Sequence, residues 1–253
     1  MSDDTPPASG FFTEFPLAIS FLTILPVIDR RPASDETVAA SFAWFPVVGF
    51  LLGAALVGED WLLGHVFAQV IRSLLIVLSL TVVTGAVHLD GLADTADALG
   101  AGGDRARALD ILRDSRVGTF GASAIFFDLT LKIFALSSLA GHRRYAALIV
   151  APMLARSAML LVARGLPYLR ENGAGSTLLN TESRSPGARM VVIAAFTLAI
   201  VLMLGAIRPT AVAIAVVFAM RSFYRRWLGG VTGDLIGACA ELVEIAVLVT
   251  IAS

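Results

Sequence analysis

The chain reads as an all-α, polytopic integral membrane helical bundle with about seven to eight membrane helices. Three observations predict it. Hydrophobic residues make up 57% of its 253 positions and charged residues only 15%, against about 25% charged in soluble domains. The apolar residues gather in long runs with none of the period-2 alternation of an outer-membrane barrel. Arginine is spread unevenly over the polar segments between those runs, as loops on opposite sides of a bilayer require.

The elements follow in order. Residues 1–10 are acidic and Pro-containing with no Lys or Arg, which suits a disordered tail rather than a signal peptide. Residues 11–253 then read as a single membrane-embedded domain. Phe11–Val27 is short and closes at Pro26, so it is either re-entrant or spanning. Ala39–Gly58 is a span, with Trp61 beyond its end as an interfacial anchor. A long run from Leu62 to Val87 carries Arg72. Val117–Ala140, Tyr145–Ala163, Ala188–Ile207 and Leu235–Ala252 complete the clear candidates. Pro209–Met220 is too short to cross as a helix, for which ~20 residues are needed. It therefore tilts, extends into Arg221–Trp227 or stays partly embedded.

Charge orients the bundle. One set of alternate loops holds thirteen arginines: Arg30 and Arg31; Arg105, Arg107, Arg113 and Arg116; Arg164, Arg170, Arg184 and Arg189; Arg221, Arg225 and Arg226. The opposite set holds three, Arg143, Arg144 and Arg208. The first set, including the polar loop 88–116, is therefore expected in the cytoplasm. A net charge of −1 gives no basic field for nucleic acid. The single Cys239 excludes an internal disulfide.

The most informative segment is His88-Leu-Asp-Gly-Leu-Ala-Asp-Thr-Ala-Asp97. Asp90, Asp94 and Asp97 stand at i, i+4 and i+7, on one face of a helix. Three like charges raise one another's proton affinity and call for a neutralising cation. An all-oxygen set suits Mg²⁺ completed by phosphate oxygens; a solvated helix start would carry the same residues. His88 falls opposite Asp90 on such a helix. After the glycine break Gly100–Gly103, Asp104 is placed to cap a second short helix.

Two further groups stand out. Asp110, Arg113, Asp114, Ser115 and Arg116 precede Gly118-Thr119-Phe120-Gly121, and a surface salt-bridge helix or a metal and phosphate site would both look like this. Gly229-Gly230-Val231-Thr232-Gly233-Asp234 opens an apolar helix carrying Glu241 and Glu244. Its glycines, Gly233 among them, let backbone N–H groups approach an anion; a tight turn capped by Asp234 is the alternative. Ionisable groups inside membrane helices cost about 2.5–3.5 kcal/mol each and need partners or a task. Asp128 and Lys132 can pair at i, i+4, with Lys132 also able to reach a phosphate. Arg156, without a local acid, is expected to face the acidic helices inside the bundle.

Together these segments resemble the cobalamin synthase family, the adenosylcobinamide-GDP ribazoletransferases. The resemblance rests on Ser20-Phe-Leu-Thr-Ile-Leu-Pro-Val27, Phe45-Pro-Val-Val-Gly49, His88–Asp97, Arg113-Asp-Ser-Arg-Val-Gly-Thr-Phe-Gly121 and Gly229–Asp234, in order from about residue 15 to the C-terminus. Ile24 stands where the family usually carries Arg. The resemblance implies a multi-pass enzyme of the bacterial cell (inner) membrane, its active site facing the cytoplasm. Its implied substrates are adenosylcobinamide-GDP and α-ribazole or its 5′-phosphate, with GMP released and adenosylcobalamin or its 5′-phosphate formed.

The resemblance further implies Mg²⁺ on Asp90, Asp94 and Asp97, with Asp114 and Asp234 as further ligands. It assigns proton transfer to one of these carboxylates or to His88. Arg113, Ser115, Arg116, Gly233, Arg156 and Lys132 are the expected substrate contacts. Expected partners are the two substrates and the lipid bilayer, with homo-oligomers or other corrinoid-assembly enzymes as further associates. A CDP-alcohol-type phosphotransferase and an ion-coupled transporter with mid-bilayer acids are the alternatives.

Overall fold

The computed structural model describes residues 10–27, 34–114, 116–170 and 188–253. Each apolar run read from the sequence contains a helix. α1 is Phe11–Leu22, where Gly10 and Thr13 exchange hydrogen bonds at its start. α2, Asp35–Ser41, is capped by the Ser34 hydroxyl, which accepts from the Thr37 N–H. It passes through a 3₁₀ turn, Phe42–Trp44, into α3, Phe45–Leu63, making one 29-residue span from Asp35 to Leu63. The tail 1–9, Arg30, Arg31, Ser115 and Arg184 lie outside the described residues.

The run Leu62–Val87 is not one helix. α4, Gln69–Val83, and α5, Val87–Leu99, meet at 89°. The chain turns through Gly85 (φ 63°) and Ala86 (φ 55°), two successive left-handed residues that end one helix and start the other. α6, Arg105–Ile111, begins on Asp104, whose carboxylate accepts from the Ala106 and Arg107 N–H groups as expected. The remaining helices are α7, Thr119–Ser137; α8, Gly141–Ala163; α9, Ala188–Met203; α10, Ile207–Trp227; and α11, Gly233–Ala252. α10 takes the longer of the forms open to Pro209–Met220, reaching Trp227.

Among the described residues five helical segments are long and apolar enough to cross a membrane, or six with the bent pair α4–α5. The expected number was seven to eight. The difference is α1 and α9, apolar helices of 12 and 16 residues, which at ~1.5 Å per residue fall short of a ~30 Å core.

α8 and α11 form the centre. α8 meets α3 backbone to backbone: a Cβ on Gly49 would lie 2.5 Å from the Pro152 carbonyl oxygen, and one on Gly53 2.6 Å from the Ile149 Cα. This is the small-residue spacing by which membrane helices approach closely.

The two ends of the bundle differ. At one, Arg144 (1% exposed) donates to Asp60, to Ser73 and to the Leu136 carbonyl, tying α3, α4, α7 and α8 together. Arg143 and Arg208 cap the C-terminus of α11 at the same end, on the Ile251 carbonyl and the Ser253 hydroxyl. The opposite end gathers the arginine-rich segments. There Arg105 donates to the Leu228 carbonyl (2.9 Å), Arg221 to that of Arg164, and Arg189 pairs with buried Glu14, which also accepts from the Trp44 indole.

Candidate active site

The site forms where α5 crosses the start of α11 at the arginine-rich end. Thr232 caps α11 by accepting from the Leu235 N–H. Its preceding loop is pinned in an extended pairing: the Leu169 N–H donates to the Val231 carbonyl, and the Val231 N–H to that of Pro167, both at 2.9 Å. Gly230 is required there, because a side chain would collide with the Pro167 carbonyl. α5 then packs on α11 through glycines from both. A Cβ on Gly91 would fall 2.9 Å from the Asp234 Cα, and one on Gly237 3.2 Å from the His88 Cα.

That contact brings Asp90, Asp94 and Asp97 within electrostatic reach of Asp234, while Asp114 is not among them. Asp94, half-buried, feels the negative charges of Asp90, Asp97 and Asp234 and the positive charge of Arg170. Arg170 donates to Asp234 Oδ2 at 2.7 Å and to the Leu112 carbonyl, so it also holds the end of α6 against the site. Tyr168 lies beside Gly233, and partial burial raises its hydroxyl pKa above the ordinary range.

Asp97 has a different posture. Its Oδ2 accepts from the Gly118 N–H (2.7 Å) and its Oδ1 from the Gly121 N–H (2.9 Å). It thus caps the first turn of α7, where backbone donors lack helical partners. Side chains at Gly118 or Gly121 would run into this carboxylate. Asp114 is engaged as well: Arg116 bonds both its oxygens, which holds its carboxyl below the usual range. Arg113 and Arg116 are exposed, the former 4.0 Å from Asp110.

The other predicted site residues lie elsewhere. Lys132 reaches Asp128 (3.1 Å), Glu244 (3.3 Å) and Glu241, while Arg156 bonds Glu244 at 2.7 Å. All are buried, with His88 (3% exposed) next to them. The expected Asp128–Lys132 pair and the inward-facing Arg156 are both present, but in the bundle interior. Among the described residues, no three His, Cys, Asp or Glu side chains are gathered tightly enough to hold a metal ion as they stand. The donor chemistry nevertheless fits a hard cation. Asp90, Asp94 and Asp234 are all-oxygen donors whose combined charge exceeds the single guanidinium of Arg170.

Arg170 and Tyr168 were not singled out from the sequence. Their only signal was the Gly165-Leu-Pro167 turn after α8, and nothing there separates Arg170 from the other loop arginines.

Comparison with known proteins identifies the family. Residues 14–252 match the family described as cobalamin-5-phosphate synthase. An adenosylcobinamide-GDP ribazoletransferase of Syntrophobacter fumaroxidans is 37% identical over 244 residues, covering 94% of this chain and 97% of the relative. Proteins of the same name from Pseudomonas syringae pv. syringae and Pseudomonas putida are 35% and 39% identical, covering 94% of this chain and 98% of each relative. No solved structure matches it. The matched region runs from α1 to the last turn of α11 and contains every carboxylate, arginine and glycine of the site, so the chain belongs to the cobalamin-5-phosphate synthase family.

Proposed function

We propose that this chain is a membrane ribazoletransferase that joins adenosylcobinamide-GDP to α-ribazole or its 5′-phosphate and releases GMP. The family membership and the relatives' shared name support the reaction. One observation supports its location: Gly91 seats Asp90 and Asp94 against Asp234, with Arg170 in the same cluster.

In this reading the ribazole hydroxyl oxygen attacks the phosphorus nearest the cobinamide. A new P–O bond forms there, the pyrophosphate P–O bond breaks, and GMP leaves with that oxygen. The hydroxyl proton goes to a carboxylate of the cluster, since His88 is buried against Arg156 and Lys132. Arg170, Arg113 and Arg116 supply positive charge for the pyrophosphate, as phosphoryl transfer depends on positioning and charge neutralisation. Asp90, Asp94 and Asp234 would hold Mg²⁺, which when bound neutralises phosphate charge and polarises the reacting phosphorus. Asp97 fixes the first turn of α7, which follows Arg113 and Arg116 in the chain. The arginine-rich end faces the cytoplasm in this reading.

The test is direct. Purified protein in detergent or liposomes, given adenosylcobinamide-GDP, α-ribazole and Mg²⁺, should release GMP and form the joined corrinoid. A monodisperse preparation that releases none would overturn the reading.

A further inference from the structure

The carboxylate site leaves a second group of arginines at the same end of the bundle without a role. Four arginines there are matched to acids: Arg113 to Asp110, Arg116 to Asp114, Arg170 to Asp234 and Arg189 to Glu14. Around the C-terminal end of α10 the pattern changes. Arg221 donates to the Val162 and Arg164 carbonyls at the end of α8, and Arg105 to the Leu228 carbonyl just past α10. Arg164, Arg225 and Arg226 are exposed, and none of these five arginines has an acidic partner among the described residues. Asp104, beside Arg105 in the chain, is engaged in capping α6. Topology asks for positive charge in such loops, but not for charge left unmatched along one helix face.

That face also carries an apolar stripe. Tyr224 is fully buried and donates to the Leu235 carbonyl at 2.8 Å, and with Ala213 and Val217 it turns one side of α10 inward. At about 100° per residue, Ile214, Phe218, Arg221 and Arg225 fall within about 60° of one another beside that buried side. Ile214 and Phe218 are 46% and 67% exposed. Arg225 stands ~10 Å beyond Phe218 along the helix axis. On α8, exposed Leu161 precedes Arg164 by less than one turn. α10 is long and apolar enough to cross a membrane, so these cations sit directly above apolar side chains where a spanning helix leaves the hydrocarbon.

We infer that this corner of the bundle binds one anionic phospholipid, its phosphate between Arg164, Arg221 and Arg225 and an acyl chain along Phe218 and Ile214. Guanidinium groups meet phosphate oxygens in bidentate pairs, and basic side chains at a bilayer surface favour anionic headgroups. With no free carboxylate alongside, nothing receives the ammonium of a zwitterionic headgroup. The stripe below the arginines separates a lipid from a soluble phosphate, which would use the cations alone. The bound lipid bridges the ends of α8 and α10, which Arg221 already joins.

The experiment uses the full chain, purified in non-ionic detergent, delipidated, and mixed with phosphatidylglycerol or phosphatidylcholine of the same acyl chains. Native mass spectrometry counts the lipids retained, and thermal unfolding is followed alongside. On the order of one phosphatidylglycerol should stay bound per chain and raise the unfolding temperature above that in phosphatidylcholine. Arg164→Gln combined with Arg225→Gln removes two side chains that bond to no other described residue. This double variant should unfold like the parent without lipid, yet bind phosphatidylglycerol about tenfold or more weakly. Phe218→Ala should also weaken retention, and Arg208→Gln, at the opposite end of the bundle, should leave it unchanged. Equal retention of the two lipids, or unchanged retention in the arginine double variant, would overturn the inference. Stabilisation by inorganic phosphate or glycerol phosphate equal to that by the lipid would overturn it too, by making this a site for soluble phosphate. None of these readouts depends on GMP release, so failure here is distinct from failure of the proposed function.

Discussion

Gly91 rests on the backbone of Asp234: a Cβ there would stand 2.7 Å from the Asp234 carbonyl oxygen and 2.9 Å from its Cα. Neither atom can yield without moving the first turn of α11, so Gly91→Ala should separate the two carboxylate-bearing helices. The expected cost is about 1–3 kcal/mol of overpacking, together with loss of most GMP release. Gly58→Ala is the control, because nothing lies within 4 Å of a Cβ at that helical position; it should be neutral or stabilise by about 0.5–1 kcal/mol. Unfolding midpoints and turnover of the two variants check the contrast.

Arg170 opposes the charge of Asp234 and, in the proposed reaction, meets the substrate's phosphate. Losing a hydrogen bond to a charged group costs about 1.5–3 kcal/mol, so Arg170→Ala should raise the KM for adenosylcobinamide-GDP roughly ten- to a hundredfold. The same variant leaves the carboxylates more negative and should lower the half-saturating Mg²⁺ concentration. Opposite movements of the two titrations would bear out its role; parallel movements would refute it.

Asp97 caps α7 through two backbone N–H groups, and Asp97→Ala should cost about 1 kcal/mol of stability from the lost cap. Substrate KM should rise as the start of α7 loosens, while the Mg²⁺ requirement stays constant. A Mg²⁺ requirement shifted by about tenfold or more would instead make Asp97 a metal ligand, as the resemblance implied.

At the arginine-poor end, Arg144 and Asp60 are each 1% exposed and 2.6 Å apart. Arg144→Ala leaves buried Asp60 only Arg72, whose Nε lies 3.2 Å away, and should destabilise the chain by up to about 3–5 kcal/mol. Arg144→Met combined with Asp60→Leu removes both buried charges, leaving Arg72, which is 19% exposed, to turn to solvent, and should recover much of that loss. Thermal unfolding in detergent of the two singles and the double completes the cycle.

Orientation can be read with thiols, because the single Cys239 is buried and silent toward reagents. Arg226→Cys, at the arginine-rich end, should react with a membrane-impermeant maleimide only after the inner membrane is opened. His142→Cys, at the other end, should react in intact spheroplasts. The reverse pattern would place the carboxylate site outside the cytoplasm.

Much of this architecture was legible. The apolar runs, the Asp104 cap, the Asp128–Lys132 pair and the inward Arg156 all follow from local pattern and the cost of burying charge. The right-angle break was not. Residues 62–87 are predominantly apolar, with His65, Gln69 and Arg72 the strongly polar exceptions, and the left-handed Ala86 is imposed by packing rather than by its own preference. His88, Lys132 and Arg156 were read as chemistry-bearing because ionisable residues in apolar helices are costly. Periodicity could not show that Glu241 and Glu244 draw Lys132 and Arg156 inward, or that Gly237 seats His88 deep. Arg170 depends on the pairing of Leu169 with Val231, a contact between segments far apart in the chain.

The turn at Gly85–Ala86 also bears on how the protein meets bilayers of different thickness. Tilting α4 to match a thicker or thinner membrane can be absorbed by rotation about two backbone residues. α5, clamped by Gly91 and Gly237 to α11 and by Asp97 to α7, need not follow. Turnover should therefore vary little among vesicles of different acyl length, even as the outer helices reorient.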